Sequence, residues 1–188
     1  MAKAGKNLIL HGVSGKLGDQ IVIRQVGGET ILSQAPGKRE AEPTAAQAAH
    51  RQRFQQAIIY GKRVMGDADL RAEYESRAEG LKSAFNVAVA DFMHAPQIEE
   101  IDLTQYGGNS GDTIRIRAVD DFKVTAAHVA IYNTDGSLVE EGEAVQQENG
   151  LDWVYTCTAD NPETAGDRIV VTVTDQPGGI TEKEEILS

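Results

Sequence analysis

Asp112-Thr-Ile-Arg-Ile-Arg-Ala-Val-Asp120 puts Ile114, Ile116 and Ala118 on one side of an extended chain and Arg115, Arg117 and Val119 on the other. Successive side chains of a strand point to opposite faces, so the alternation predicts a half-buried strand. The pattern repeats outward from this stretch. Val129-Ala-Ile-Tyr132 runs into the turn residues Asn133-Thr-Asp135-Gly136 and resumes at Ser137-Leu-Val139. Trp153-Val-Tyr-Thr-Cys-Thr158 and Ile169-Val-Val-Thr-Val-Thr174 follow, the second ending at Asp175-Gln-Pro-Gly-Gly179. Period-two alternation closed by frequent turns predicts an antiparallel sandwich, with strands at 98–103, 112–119, 125–132, 137–143, 152–158, 168–174 and 180–187. Trp153 is the expected large anchor of its core. A sandwich is a scaffold for binding and assembly and carries no chemistry by itself.

The first half reads differently. Leu8 and Leu10 alternate, Gly12 to Gly18 supplies turn residues, Asp19–Arg24 reads as a strand, Gly27-Gly28 as a tight turn and Thr30–Ser33 as the returning strand. An isolated ribbon of this kind is marginal in water and must lie on something else. After the polar connector 35–43, Thr44 and Gln47 form a capping-box pair that starts a helix. Phe54, Ala57, Ile58, Gly61, Val64 and Met65 make its apolar stripe. Asp67 or Asp69 caps a second helix through Leu70 and Tyr74. A third helix runs over Ser83–Met93, with Ala84, Phe85, Ala88, Val89 and Phe92 inward. The fold class is therefore α+β: an N-terminal β-ribbon and helical hairpin or bundle over 1–95, then an immunoglobulin-like antiparallel sandwich over 96–188.

Charge divides along the same line. Residues 1–95 hold 13 Lys+Arg against 10 Asp+Glu, and residues 96–188 hold 5 against 19, within a chain of 188 residues and net charge −11. The acidic half repels nucleic acid and anionic membranes. The single cysteine, Cys157, excludes an intrachain disulfide and reads as a small apolar residue on the sheet. No stretch approaches the ~18 apolar residues that cross a bilayer, and Leu8-Ile-Leu10 is too short for the apolar core of a signal peptide, so the chain is expected to be cytoplasmic as synthesised.

Gly111-Asp-Thr-Ile-Arg-Ile-Arg-Ala118, Asp120-Asp121 before Val124, and Val173-Thr-Asp175 with its glycine turn and Thr181 resemble bacterial immunoglobulin-like (Big-type) repeat domains. That resemblance implies a spacer, an adhesive module or a decoration on surfaces, enzymes or virus particles. Val13-Ser-Gly-Lys-Leu-Gly-Asp19, Val22-Ile-Arg24, Gly28-Glu-Thr-Ile31, Pro36, Pro43-Thr44-Ala-Ala-Gln47 and Arg53-Phe54 resemble a small N-terminal module of Bacteroidota proteins, which brings no activity with it.

Chemistry-bearing constellations are sparse. His11, His50, His94 and His128 are isolated from one another and from metal-ligand spacings. Gly12–Gly18 lacks the Gly-Lys-Ser/Thr ending of a phosphate loop. Asp120, Asp121 and Asp175 are candidates for a calcium site at one end of the sandwich, although calcium needs six to eight oxygens and no DxDxDG loop is present. No other cofactor is expected. Lys38, Arg39, Arg51, Arg53, Lys62 and Arg63 could gather into a basic patch, and Ile21 and Ile23 lie on a ribbon strand that wants a partner. The expectation is a non-enzymatic structural or interaction protein. Its partner would be protein: a second copy, or a larger particle such as a phage virion or injection apparatus, contacted through 1–95. A carbohydrate- or protein-binding adhesion module would need an aromatic platform from Tyr106, Tyr132 and Tyr155. A nucleic-acid-binding protein would need the cations of 38–63 on one face.

Overall fold

Gly27 and Gly28 both adopt positive φ, 57° and 79°, and so connect two strands by the shortest hairpin loop. In the computed structural model, which describes residues 2–3, 12–37 and 42–187, this hairpin joins β3 (Ile21–Val26) to β4 (Glu29–Gln34). β1 (Ala2–Lys3) and β2 (Gly15–Leu17) complete an antiparallel sheet in the order β1-β4-β3-β2. The first ribbon strand thus lies two residues later than the expected 19–24. Part of the expected glycine turn is itself strand, because Lys16 and Leu17 find partners in Val22 and Ile21. Leu8 and Leu10 lie outside the described residues.

The capping box forms as expected. Gln47 N donates to Thr44 Oγ1 and Thr44 N to Gln47 Oε1, both at 3.3 Å, and α1 runs over Ala45–Gly66. Asp67 caps α2 (Ala68–Ser76) by accepting from Asp69 N and Leu70 N, and Ser83 caps α3 (Ala84–Met93) by accepting from Asn86 N. Gly61 allows α1 and α3 to approach: a Cβ there would lie 2.8 Å from the Phe85 ring and 2.9 Å from Val89. Phe54, expected on the inward stripe, is instead 47% exposed, because α1 buries nothing before Ala57.

The remaining strands are β5 (Gln97–Asp102), β6 (Thr113–Val119), β7 (Val124–Tyr132), β8 (Leu138–Glu143), β9 (Val145–Gln146), β10 (Asp152–Thr156), β11 (Arg168–Asp175) and β12 (Ile180–Ile186). They form two antiparallel sheets, β5-β6-β10-β9 and β12-β11-β7-β8. Seven of the eight match the expected strands to within a few residues; the two-residue β9 is additional. Ile114 and Ile116, Val129 and Ile131, and Ile169, Val171 and Val173 are fully buried in one core shared by both sheets, with Trp153 beside them. Each such side chain contributes about 1.5–3 kcal/mol by leaving water. The architecture is mixed α+β with sandwich-like sheets.

The chain separates into two compact units, Met1–Ala49 and His50–Ser188. The break falls inside α1, whereas the sequence pattern put it after residue 95. The reason is Phe122, which leaves the β6–β7 loop to join Tyr60, Val64, Tyr74, Ala84 and Ala88 in a second core. The helices therefore share their packing with the sandwich. Among the described residues, no helix is long and apolar enough to cross a membrane.

Candidate functional site

The helices meet the sandwich through stacked rings and a chain of polar groups. Tyr74 of α2 lies over the Phe122 ring at a 4.0 Å centroid separation, and Arg77 Cζ sits 5.7 Å from the centroid of the same Phe122 ring. Tyr60 of α1 and Tyr74 share a hydrogen bond between their hydroxyls at 2.9 Å, and Tyr74 Oη donates to Asp91 Oδ2 of α3 at 2.5 Å. Asp91 is 1% exposed. Burial is the main cause that pushes its carboxyl up to about 7; the Tyr74 bond works against the shift, and Asp120 and Asp175 reinforce it. Asp175, 2% exposed at the end of β11, is raised by burial as well.

An open groove of about 530 Å³ runs beside this seat, lined by Arg53, Met93, His94, Gln97, Asp120 and Asp121 among others. His94 Nδ1 and Asp121 Oδ2 stand 2.5 Å apart, both exposed. The calcium candidates are thus divided. Asp120 and Asp175 face the same buried carboxyl, while Asp121 turns outward to His94. Among the described residues, no group of three His, Cys, Asp or Glu side chains is placed to hold a metal ion.

The candidate basic patch is also divided. At 100° per residue, Arg51 and Lys62 lie within about 20° of each other on α1, opposite Ala57, Tyr60 and Val64. Arg53 falls on the buried side and lines the groove, and Arg63 lies between. Lys38 and Arg39 lie outside the described residues, as does His11. On the ribbon, Ile23 is buried and Ile21 half-buried. The aromatic platform does not assemble: Tyr106 and Tyr155 are buried, and Tyr132 is covered by Arg168 at 4.4 Å. Cys157 is buried too, its thiol pushed up to about 12 chiefly by that burial.

The pattern of residues missed Asp91, Tyr60, Tyr74 and Phe122 as one group. A signal existed for Asp91: it continues the inward series Ala84 and Ala88 at the i+4, i+7 spacing of a helix face. It also missed the network on the outer face of β6. Arg115 holds Asp102 at 2.9 Å and Glu100 at 3.0 Å, and Arg117 grips Asp152 through two bonds of 2.9 and 3.2 Å.

No protein-family model matches the sequence, and no curated protein is significantly similar to it. Solved structures give distant likenesses only. CopC from Methylosinus trichosporium OB3b is 15% identical over 49% of this chain and 90% of that one, with a TM-score of 0.38. The N-terminal part of the bacterial S-layer protein SbsC is 11% identical over 74% and 39%, with a TM-score of 0.34. A lipoprotein from Bacteroides thetaiotaomicron is 11% identical over 50% and 77%, with a TM-score of 0.27.

Proposed function

We propose that this chain is a non-enzymatic structural protein that assembles with further copies of itself through residues 1–95, its immunoglobulin-like sandwich forming the acidic outer face. One observation carries the reading. Residues 45–56, about three turns of α1, bury no side chain at all. A helix exposed on every side gains nothing from tertiary packing, and so short a segment is marginal alone. Its outward face supports an acidic partner: Arg51 and Lys62 lie on one side of the helix with Ile59, 68% exposed, about 60–80° round from them, a surface complementary to the acidic half of another copy. The strand order supports the immunoglobulin-like reading, since β5-β6-β10-β9 and β12-β11-β7-β8 correspond to the two sheets of such a sandwich with one extra edge strand.

Light scattering on the full chain tests the proposal. The expected mass is a multiple of 20.3 kDa that falls toward the single chain in high salt, and in Arg51→Glu/Lys62→Glu or Ile59→Asn. A single-chain mass at every salt and protein concentration overturns self-assembly.

A further inference from the structure

Three carboxylate oxygens lie buried beneath the helices without a hydrogen-bond donor: Asp91 Oδ1, Asp120 Oδ1 and Asp175 Oδ2. Their sister oxygens are all engaged. Asp91 Oδ2 accepts from Tyr74, Asp120 Oδ2 from Phe122 N and Lys123 N, and Asp175 Oδ1 from Gly179 N. Asp91 and Asp120 also stand within hydrogen-bonding reach of each other. Two ionised carboxylates in that position repel and leave both orphan oxygens unsatisfied. A single proton turns the same contact into an O–H···O bond that satisfies both.

We propose that Asp91 and Asp120 share one proton, and that this proton latches α3 to the β6–β7 loop of the sandwich. Asp91 is the donor. Asp120 Oδ2 already accepts from two backbone N–H groups, whereas Asp91 has one hydroxyl donor and deep burial. Tyr74 comes from α2, and Tyr60 and Arg53 from α1. Asp175 stands at the end of β11, and Arg77, Glu79, Lys82 and Asp121 line the cavity on the other side of Asp91. Asp175, also raised, adds negative charge when ionised and strengthens the demand for the proton. The burial of Asp91 puts release of the proton near neutrality, so the seat of the helices loosens as pH rises through about 7 while the sandwich core is untouched. This reading is independent of the self-assembly proposed above.

The test is a residue-by-residue titration of aspartate carboxyl carbons by NMR on the full chain, paired with Asp91→Asn. The asparagine amide can donate to Asp120 and accept from Tyr74, as the carboxylic acid does. The expected result is an Asp91 signal that titrates near pH 7, and an unfolding midpoint that falls between about pH 5 and about pH 8 in the wild type but stays level in Asp91→Asn. Titration of Asp91 in the ordinary carboxylate range overturns the latch, as does an equal pH dependence in the two proteins. Millimolar calcium that raises the wild-type midpoint and moves the Asp91 and Asp120 signals together also overturns it, by putting a cation where the proton is assigned.

Discussion

Asp152 and Asp91 are the same side chain in opposite settings. On the outer face of β6 and β10, the Arg117 guanidinium and then Asn149 hold the Asp152 carboxyl down to about 2. Beneath α3, burial and two neighbouring carboxyls push Asp91 up to about 7. The first region makes these contacts on the outer face of its sheet, over a core in which Ile114, Ile116, Val129, Ile131, Ile169, Val171 and Val173 are fully buried beside Trp153. The second carries its polar contacts inside the core itself. The aliphatic side chains of the sandwich core are therefore held by burial, and the helical seat by a hydrogen-bonded chain whose strength depends on pH.

The largest expected effect isolates the sandwich core. Ile116→Ala removes a fully buried side chain between the sheets and should cost about 2–5 kcal/mol, with the same loss at every pH. The single tryptophan, Trp153, sits in that core, so its fluorescence follows sandwich unfolding in urea. A loss that changed with pH would erase the contrast between the two regions.

Tyr74→Phe addresses the other region. It removes the donor to Asp91 Oδ2 and the partner of the Tyr60 hydroxyl, both buried, and should cost about 1–3 kcal/mol. The loss should be greater above neutrality than below it, because an ionised Asp91 needs the Tyr74 donor more than a protonated one does. In the wild type Asp91 itself makes stability depend on pH. The folded carboxyl is raised above its unfolded value, so its contribution is fully present below about pH 4 and is lost as pH rises through about 7. Urea unfolding at mildly acidic and mildly alkaline pH checks both statements.

The two regions also differ in how they can be read from the chain. Alternation at Ile114, Ile116 and Ala118 states which face is buried, and the strand burial follows it residue by residue. A strand's period is local, so eight residues suffice. The helical seat depends on Phe122, a loop residue with no periodic neighbours, meeting Tyr74 from 48 positions earlier in the chain. The face of α3 that carries Asp91 is legible, but its partners Asp120 and Asp175 are set by where two loops end. The same holds for the calcium candidates. Adjacent Asp120 and Asp121 look equivalent in sequence, yet one turns inward and the other meets His94. The exposed start of α1 is hidden for a related reason: Phe54 fits the apolar stripe, and only the tertiary structure shows it 47% exposed.

Gly61→Ala is expected to be milder than Tyr74→Phe. Alanine favours the helix by about 1 kcal/mol, but its methyl meets the Phe85 ring and Val89, and overpacking of that kind costs about 1–3 kcal/mol. A small net loss, seen by helical circular dichroism before Trp153 fluorescence changes, would place the weakness between α1 and α3 and leave the sandwich intact.

The smallest effect belongs to the surface. Arg117→Gln breaks a two-bond contact with Asp152, but exposed pairs gain little because water and salt screen them. The change should show in the acid limb instead. Asp152 is held below its unfolded value, so its contribution is present above about pH 4 and is lost as pH falls through about 2. Without Arg117 the carboxyl returns toward its ordinary range and that limb flattens, while the loss on the alkaline side, which Asp91 controls, is unchanged. Carboxyl titration of Asp152 and Asp91 in the same sample checks this: an Asp91 shift in Arg117→Gln would show that the outer face and the helical seat are electrostatically one region.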